Sequence, residues 1–323
     1  MVAERRIGII GNPDRSGIED ALALLFRELE SAGLTNCISS PDICELLTGN
    51  SFCRTADDHF SLVRESDIIF AMGGDGTMLG AARAIIRANP QAQLVGINLG
   101  KLGFIAENPP EFIPQLVQGI ANDTLIGERR LMLSAVVQSE EEGSTVVRRD
   151  DLEPTREDTK VVSASVVALN EIVIDNLGST RMLTFEVNVN GALLGRMRAD
   201  GLIVATPTGS TGYAVSAGGP IIEPTAPVML ITPIAPHSLS VRPIIVDERS
   251  EILIRAEASD PRQALVVSDG QEEIAVDVVA CVRITAAQDK LNLLRVPGNS
   301  YFDLLREKMF WSIDPIEGTK GRR

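Results

Sequence analysis

Residues 67–77 read DIIFAMGGDGT, an apolar run that ends in three glycines, one acid and one threonine. Residues Met78 to Ala88 follow with helical character. A buried strand that enters a glycine turn and leaves as a helix is the building unit of parallel α/β sheets. The layout aims backbone N–H groups at a phosphate. Glycine permits positive φ and lets a ligand approach with no Cβ in the way. Asp75 is the exception in an otherwise inert loop. A carboxylate beside bound phosphates is repelled unless it holds a metal or takes a proton. A tight turn with a capping Asp explains the same five residues equally well, so the rest of the chain has to decide.

The stretch before residue 125 repeats the α/β theme. Arg6 to Gly11 (RIGIIG) reads as a buried strand, and Ile18, Ala21, Leu22, Leu25 and Leu29 then fall at helical spacing before a stop at Gly33. Ile43, Leu46 and Leu47 suggest one more short helix. Leu94 to Asn98 is the next strand, and it meets a second glycine cluster, Gly100-Lys101-Leu102-Gly103-Phe104. Glu111 to Ile120 is a further helix. Such sheets bind ligands beyond the carboxyl ends of their strands, where both glycine clusters belong.

After residue 125 the texture becomes β-rich. Leu131 to Gln138 and Ser163 to Asp175 read as strands, with the charged segment 139–160 between them as a solvated, mobile insertion. Thr184 to Val189 alternates with period two and runs into Asn190-Gly191, a hairpin turn signal. Further strands follow at 202–205, 228–232, 244–246, 251–256, 264–268 and 280–284, with a short helix near Tyr213–Gly218. The expected organisation is an α/β domain with a Rossmann-like parallel sheet over 1–125, a β-rich sandwich-like domain over 126–295, and a tail over 296–323. The tail places Phe302, Leu305, Met309 and Phe310 on one helical face, which should return to the first domain.

Length and charge bound the function. A single core rarely grows beyond ~250–300 residues, so 323 residues favour two domains. A formal net charge of −14 argues against nucleic acid or an anionic membrane as partner. No signal peptide is expected at Met1–Arg6, and no run reaches the ~18 apolar residues of a membrane span. Cys37, Cys44, Cys53 and Cys281 form no CxxC pair, and His59 and His237 are the only histidines, so reduced thiols in the cytoplasm are expected and a zinc site is not.

Besides Gly73–Thr77, three stretches resist explanation as scaffold. Asn170-Glu171 is a polar pair inside an apolar strand run, and adjacent strand residues face opposite ways. Arg198-Ala199-Asp200-Gly201 sets an arginine and a carboxylate before a β-run. Thr206 to Tyr213, continuing through Ser216 to Pro220, is rich in hydroxyls and glycines and carries a tyrosine that can stack on a ring. Each alone has a plain reading as strand edge, surface ion pair or long turn.

Together these stretches resemble the bacterial-type NAD kinases. The matching motifs are GGDGT (73–77), NE (170–171), DGLIVATPTGSTGY (200–213), SAGGP (216–220), PHSLSVRP (236–243) and YFDLLREK (301–308). The resemblance implies Mg²⁺-dependent transfer of a phosphoryl group from ATP to the 2′-hydroxyl of the adenosine ribose of NAD, giving NADP, in a homodimer or homotetramer. It implies Asp75 as the base, with Gly76 in the turn and Gly73, Gly74, Gly76 and Thr77 as the phosphate loop. Asn170 and Glu171 would hold the dinucleotide, and Arg181, Arg198 and Asp200 would flank it. Thr211, Gly212, Tyr213, Ala214, Val215 and Ser216 would surround one of its rings, and Gln271 would approach from the following loop. Position 212 is Gly where the family usually has Ala. The resemblance names no metal-binding side chain. A positioned carboxylate suits the chemistry, because a ribose hydroxyl is a poor nucleophile at neutral pH. No Walker A sequence is present, which leaves glycine amides and metal to hold the donor phosphates. Lys101 reads as a surface lysine and His237 as a turn-stabilising one. The alternatives are a lipid kinase sharing GGDGT, which would want a basic face, and a dinucleotide sensor without catalysis, which would not need Asp75. A Rossmann oxidoreductase would need GxGxxG, and the chain lacks it near Gly11 and Gly73.

Overall fold

The computed structural model describes residues 5–47, 52–100, 103–139, 146–149, 159–161, 163–176, 182–257, 263–277, 279–298 and 300–309. The chain forms two compact units, one of residues 1–78, 92–128 and 293–323, the other of residues 79–91 and 129–292.

In the first unit, strands Cys53–Thr55, Cys37–Ser39, Ile7–Gly11, Ile68–Gly73 and Gln93–Asn98 lie side by side in that order and run parallel. Leu291–Arg295 and Ile126–Arg130 complete a seven-stranded sheet. Every residue of Ile7–Gly11 and of Ile68–Gly73 is buried, as expected for central strands covered on both faces. Helix Ile18–Ser31 lays Ile18, Ala21, Leu22, Leu25, Phe26 and Leu29 on this core, and helix Ile113–Asn122 adds Ile113, Leu116, Val117 and Ile120. Strand order reverses between Ile7–Gly11 and Ile68–Gly73. The loops that leave their carboxyl ends, 12–17 and 73–77, therefore sit at the switch point where open α/β sheets bind ligands.

The second unit is a sandwich. One sheet has six strands, Ser163–Ala168, Leu133–Ser139, Val279–Ala286, Ile252–Glu257, Leu183–Val189 and Ala192–Ala199. The other has eight, Ile244–Asp247, Val228–Ile234, Gly201–Ala205, Glu171–Asn176, Gln263–Ser268, Glu272–Asp277, Val146–Arg149 and Thr159–Val161. Alternate residues of both sheets, among them Leu133, Ala135 and Val137 on one and Ile172, Ile174, Leu202 and Val204 on the other, meet in one apolar core. Asn190 (φ 52°) and Gly191 (φ 78°) form the expected hairpin turn between Leu183–Val189 and Ala192–Ala199.

Several expectations need correction. Ser163 to Asp175 is two strands rather than one, broken at Leu169-Asn170. Part of the segment 139–160 is sheet: Val146–Arg149 pairs with Glu272–Asp277, and Thr159–Val161 pairs with Val146–Arg149. The acidic runs beside it lie outside the described residues. The helix after the glycine loop begins at Asp75, three residues before the expected start, so Asp75 occupies its first turn. The terminal helix Tyr301–Met309 buries Leu304 and Leu305, while Phe302 is 55% exposed, and Phe310 lies outside the described residues. The buried stripe is thus rotated by one position from the one expected.

Candidate functional site

In the first unit, strand Ile68–Gly73 delivers the chain to Asp75. Among the described residues with positive φ, none is Gly73, Gly74 or Gly76. Close packing is the requirement at Gly73, where a Cβ would overlap the Thr77 side chain. At Gly74 the guanidinium of Arg15 lies 3.3 Å from where a Cβ would stand. Gly76 is exposed on the first helical turn.

The Asp75 carboxylate is held by the loop of the second glycine cluster. Its Oδ1 accepts from the backbone N–H of Ile105 (3.2 Å) and Ala106 (2.9 Å), and its Oδ2 from that of Phe104 (3.0 Å). Gly103 makes the approach possible, because a Cβ there would overlap Asp75 Oδ1. The loop is itself pinned. Asn98 N–H donates to Asn108 O at 2.7 Å, and the Asn108 amide to Gly96 O at 3.0 Å. Arg295, 9% exposed, pairs with Glu107 and Glu128, each at 2.5 Å. Lys308 on the terminal helix places its Nζ 4.6 Å from the Phe104 ring centroid. Burial lowers the Lys308 pKa, against the attraction of Asp75.

In the second unit, Asn170 lies in the break between Ser163–Ala168 and Glu171–Asn176, and Glu171 opens the second of these strands. That break explains why two adjacent polar residues are tolerated in an apolar run. Asn170 Oδ1 and Glu171 Oε2 are buried and have no hydrogen-bond partner among the described residues. Unpartnered acceptors are costly in a folded interior, and two on adjacent residues are places where a ligand donor or a water can complete the bonding. Burial, reinforced by the neighbouring Asp269 carboxylate, pushes Glu171 up to about 7, against one backbone N–H from Tyr213.

The glycine- and hydroxyl-rich stretch closes over this break. Thr206 N–H donates to Asn170 O at 2.8 Å and Thr206 Oγ1 to Leu169 O at 2.5 Å. A Cβ at Gly209 would overlap the Asn170 backbone, and one at Gly212 would lie 3.0 Å from Glu171 Oε2 and 3.6 Å from Asn170 Nδ2. A methyl at position 212 would therefore be tight against the unpartnered acid and against Gly209 O at 3.2 Å. The hydroxyls bond mostly within the stretch: Ser210 Oγ donates to Pro207 O at 2.7 Å, and Thr211 Oγ1 to Thr208 O at 3.2 Å. Helix Tyr213–Ser216 exposes Tyr213 and Ser216 and half-buries Val215. Ala214 is fully buried against Val173, Ile203 and Leu230.

Arg198 and Asp200 are exposed at the end of Ala192–Ala199, and among the described ion pairs neither takes part in one. His237 is exposed in a turn, its backbone N–H bonded to Arg198 O at 2.9 Å. Arg181 and Lys101 lie outside the described residues. Gln271 Oε1 accepts from Arg83. Two residues that sequence reading passed over, Arg83 and Asp269, stand behind Asn170, Glu171 and Gln271. The only sequence signal at Asp269 is the Asp269-Gly270 turn (φ 51° and 66°), which reads as an ordinary hairpin.

The chain is similar to known proteins along nearly its whole length. Residues 7–125 match the ATP-NAD kinase N-terminal domain and residues 169–296 the ATP-NAD kinase C-terminal domain. An NAD kinase of Halorhodospira halophila is 34% identical over 305 residues, covering 94% of this chain and 92% of that protein. A crystal structure of yeast NADH kinase complexed with NADH superposes with a TM-score of 0.80 at 23% identity, over 97% of this chain and 90% of that one, which speaks to the fold. A crystal structure of an NAD kinase from Archaeoglobus fulgidus in complex with ATP gives a TM-score of 0.68 at 26% identity, over 94% of this chain and 98% of that one. Two matched domains and a relative aligned over nearly the whole chain place it in one family: it is an ATP-NAD kinase, a phosphotransferase.

Proposed function

We propose that this chain transfers the terminal phosphoryl group of ATP to the 2′-hydroxyl of the adenosine ribose of NAD, with Asp75 as general base. The observation that carries the reading is the number of donors at Asp75. A carboxylate offers about four lone-pair sites. Ile105 and Ala106 fill Oδ1, and Phe104 takes one site on Oδ2. Among the described donors one site remains unfilled, on a group already locked in place. A fixed carboxylate with one open lone pair can accept a hydroxyl proton without reorganising, an effect worth typically ~10²–10⁴-fold.

The remaining roles are assigned by family. Gly73, Gly74, Gly76 and Thr77 line the donor phosphates. Asn170 and Glu171 hold the dinucleotide, with Arg181, Arg198, Asp200 and Gln271 around it and residues 211–216 against one ring. The unpartnered acceptors on Asn170 and Glu171 support that assignment, since NAD offers amide and hydroxyl donors. The solved relatives' ATP and NADH support ATP as donor and a dinucleotide as acceptor. Mg²⁺ would neutralise charge on the transferring phosphoryl group. Mg²⁺ is commonly held by substrate phosphates, one or two carboxylates and its own waters. A cytoplasmic homodimer or homotetramer completes the proposal. All four cysteines are free, and no described helix is long and apolar enough to cross a membrane.

The test is Asp75→Asn. Asparagine keeps an acceptor for Ile105 and Ala106 but offers no basic lone pair. NADP formation from NAD, ATP and Mg²⁺ should fall by at least ~10²-fold, while NAD binding measured by calorimetry stays within roughly tenfold, ~1.4 kcal/mol. Retained turnover would remove Asp75 from the mechanism.

A further inference from the structure

Asp269 is a buried acid with nothing left to offer a ligand. Its side chain is 0% exposed. Its Oδ1 accepts from the backbone N–H of Asn170 (2.7 Å) and Glu171 (3.3 Å), and its Oδ2 from that of Leu169 (3.1 Å) and from Arg83 Nη1 (3.0 Å). Four donors fill four sites. The carboxylate can therefore neither take a proton from a substrate nor bind one without giving up a bond it already makes. Its effect is geometric.

The geometry it fixes is specific. Leu169, Asn170 and Glu171 are consecutive residues at the break between two strands. Three successive N–H groups converging on one carboxylate leave that backbone little torsional freedom. The directions of the Asn170 and Glu171 side chains follow from it. Asp269 N–H in turn donates to Glu171 O at 3.0 Å, so the two turns grip each other.

Arg83 extends the arrangement to a third site residue. It lies two turns along helix Asp75–Ala88 and is 7% exposed. One arm of its guanidinium reaches Asp269, and the other donates to Gln271 Oε1. Its Nε lies 3.5 Å from Glu272 Oε1, and Arg87 grips the same Glu272 carboxylate through both oxygens, at 2.5 and 2.6 Å. A planar fork can hold a carboxylate and an amide together, which a lysine ammonium on a flexible stem does poorly. Stability is a weak reason for such a pair, because a buried ion pair often contributes no more than apolar residues of the same volume.

We propose that Arg83 and Asp269 are positioning residues for the dinucleotide, setting the turn that aims Asn170 and Glu171 and the orientation of Gln271. The proposal rests on the NAD kinase reading above. Neither residue touches substrate, so their loss should appear in NAD recognition rather than in the chemical step.

The experiment compares wild type, Asp269→Asn and Arg83→Lys for steady-state kinetics with NAD and ATP varied separately, NAD binding by calorimetry, and thermal unfolding. Misplacing a contact by about 1 Å can cost ~10²-fold. Asp269→Asn should raise KM and Kd for NAD by roughly tenfold or more, with kcat and KM for ATP within about threefold. Arg83→Lys keeps a cation beside Asp269 but releases Gln271, and should give a smaller rise of the same kind, roughly threefold. If Asp269→Asn does not fold, Arg83→Lys decides alone. Folded variants with unchanged KM and Kd for NAD would overturn the proposal and leave the NAD kinase reading standing. So would a loss of kcat and of both KM values in step with lowered thermal stability, which marks a merely structural pair. Wild type that neither binds NAD nor makes NADP would overturn the reading itself, and the proposal with it.

Discussion

Glu171 sits buried with Oε2 unpartnered, and burial beside Asp269 raises it from 4.5 to about 7. A raised carboxylate prefers its proton in the folded state. The folded protein is therefore unaffected by this group below pH ~4.5, loses stability as pH rises through 7, and carries the full penalty above it. The gap of 7 − 4.5 = 2.5 pKa units, at ~1.4 kcal/mol each, makes the penalty roughly 3 kcal/mol at pH 8. Glu171→Gln removes the charge and keeps the shape. Urea unfolding of wild type and variant from pH 4.5 to 8.5 should show the variant gaining on wild type across this window, by roughly 2–3 kcal/mol in total. Hydrogen-bond changes that do not depend on pH cancel in that difference. The same variant should bind NAD more weakly, because the unpartnered oxygen is what a ligand donor would find. A stability difference that stays flat with pH would refute the argument, since it would mean that Glu171 ionises freely and is not buried as described.

Gly103→Ala should push the Asp75 carboxylate out of its cradle and cost roughly 10²-fold in kcat while the protein still folds, measured by steady-state rates and circular dichroism. Wild-type kcat would show that the cradle is not needed. Arg295→Met strands two acids in an interior where all three side chains are at most 21% exposed, and should cost roughly 3–5 kcal/mol of unfolding free energy in urea. Gly209→Ala drives a methyl into the Asn170 backbone and should raise KM for NAD at least roughly tenfold, with KM for ATP unchanged.

Most of the fold was legible because its signals are local. Apolar runs marked Ile7–Gly11 and Ile68–Gly73, helical spacing marked Ile18–Ser31, and Asn190-Gly191 marked its hairpin. What escaped was set by partners distant in sequence. Val146–Arg149 joins a sheet through Glu272–Asp277, a pairing that its charged surroundings conceal. The GGDGT glycines suggested left-handed backbone, yet the tight approach at Gly73 is to Thr77, four residues away. Gly103 reads in sequence only as part of a second glycine cluster, because its constraint is the side chain of Asp75, 28 positions earlier. Arg83 gives no local signal of its role, because its partner Asp269 lies 186 residues away.

Hydrogen-bond supply separates the roles of three acids that composition treats alike. Asp269, with four donors, is saturated and can only hold its neighbours in place. Asp75, with three among the described residues, is rigid and keeps one site that no described donor fills, the condition a base requires. Glu171, with a single backbone N–H opposing its burial, is left hungry for a partner and close to half-protonated near neutral pH. Environment assigns such roles more sharply than residue type does. The arrangement also orders the consequences of mutation. On the proposed roles, removing the open site should stop proton transfer, removing the unpartnered acid should relieve the fold and weaken recognition, and removing the saturated one should release the turn that aims Asn170 and Glu171.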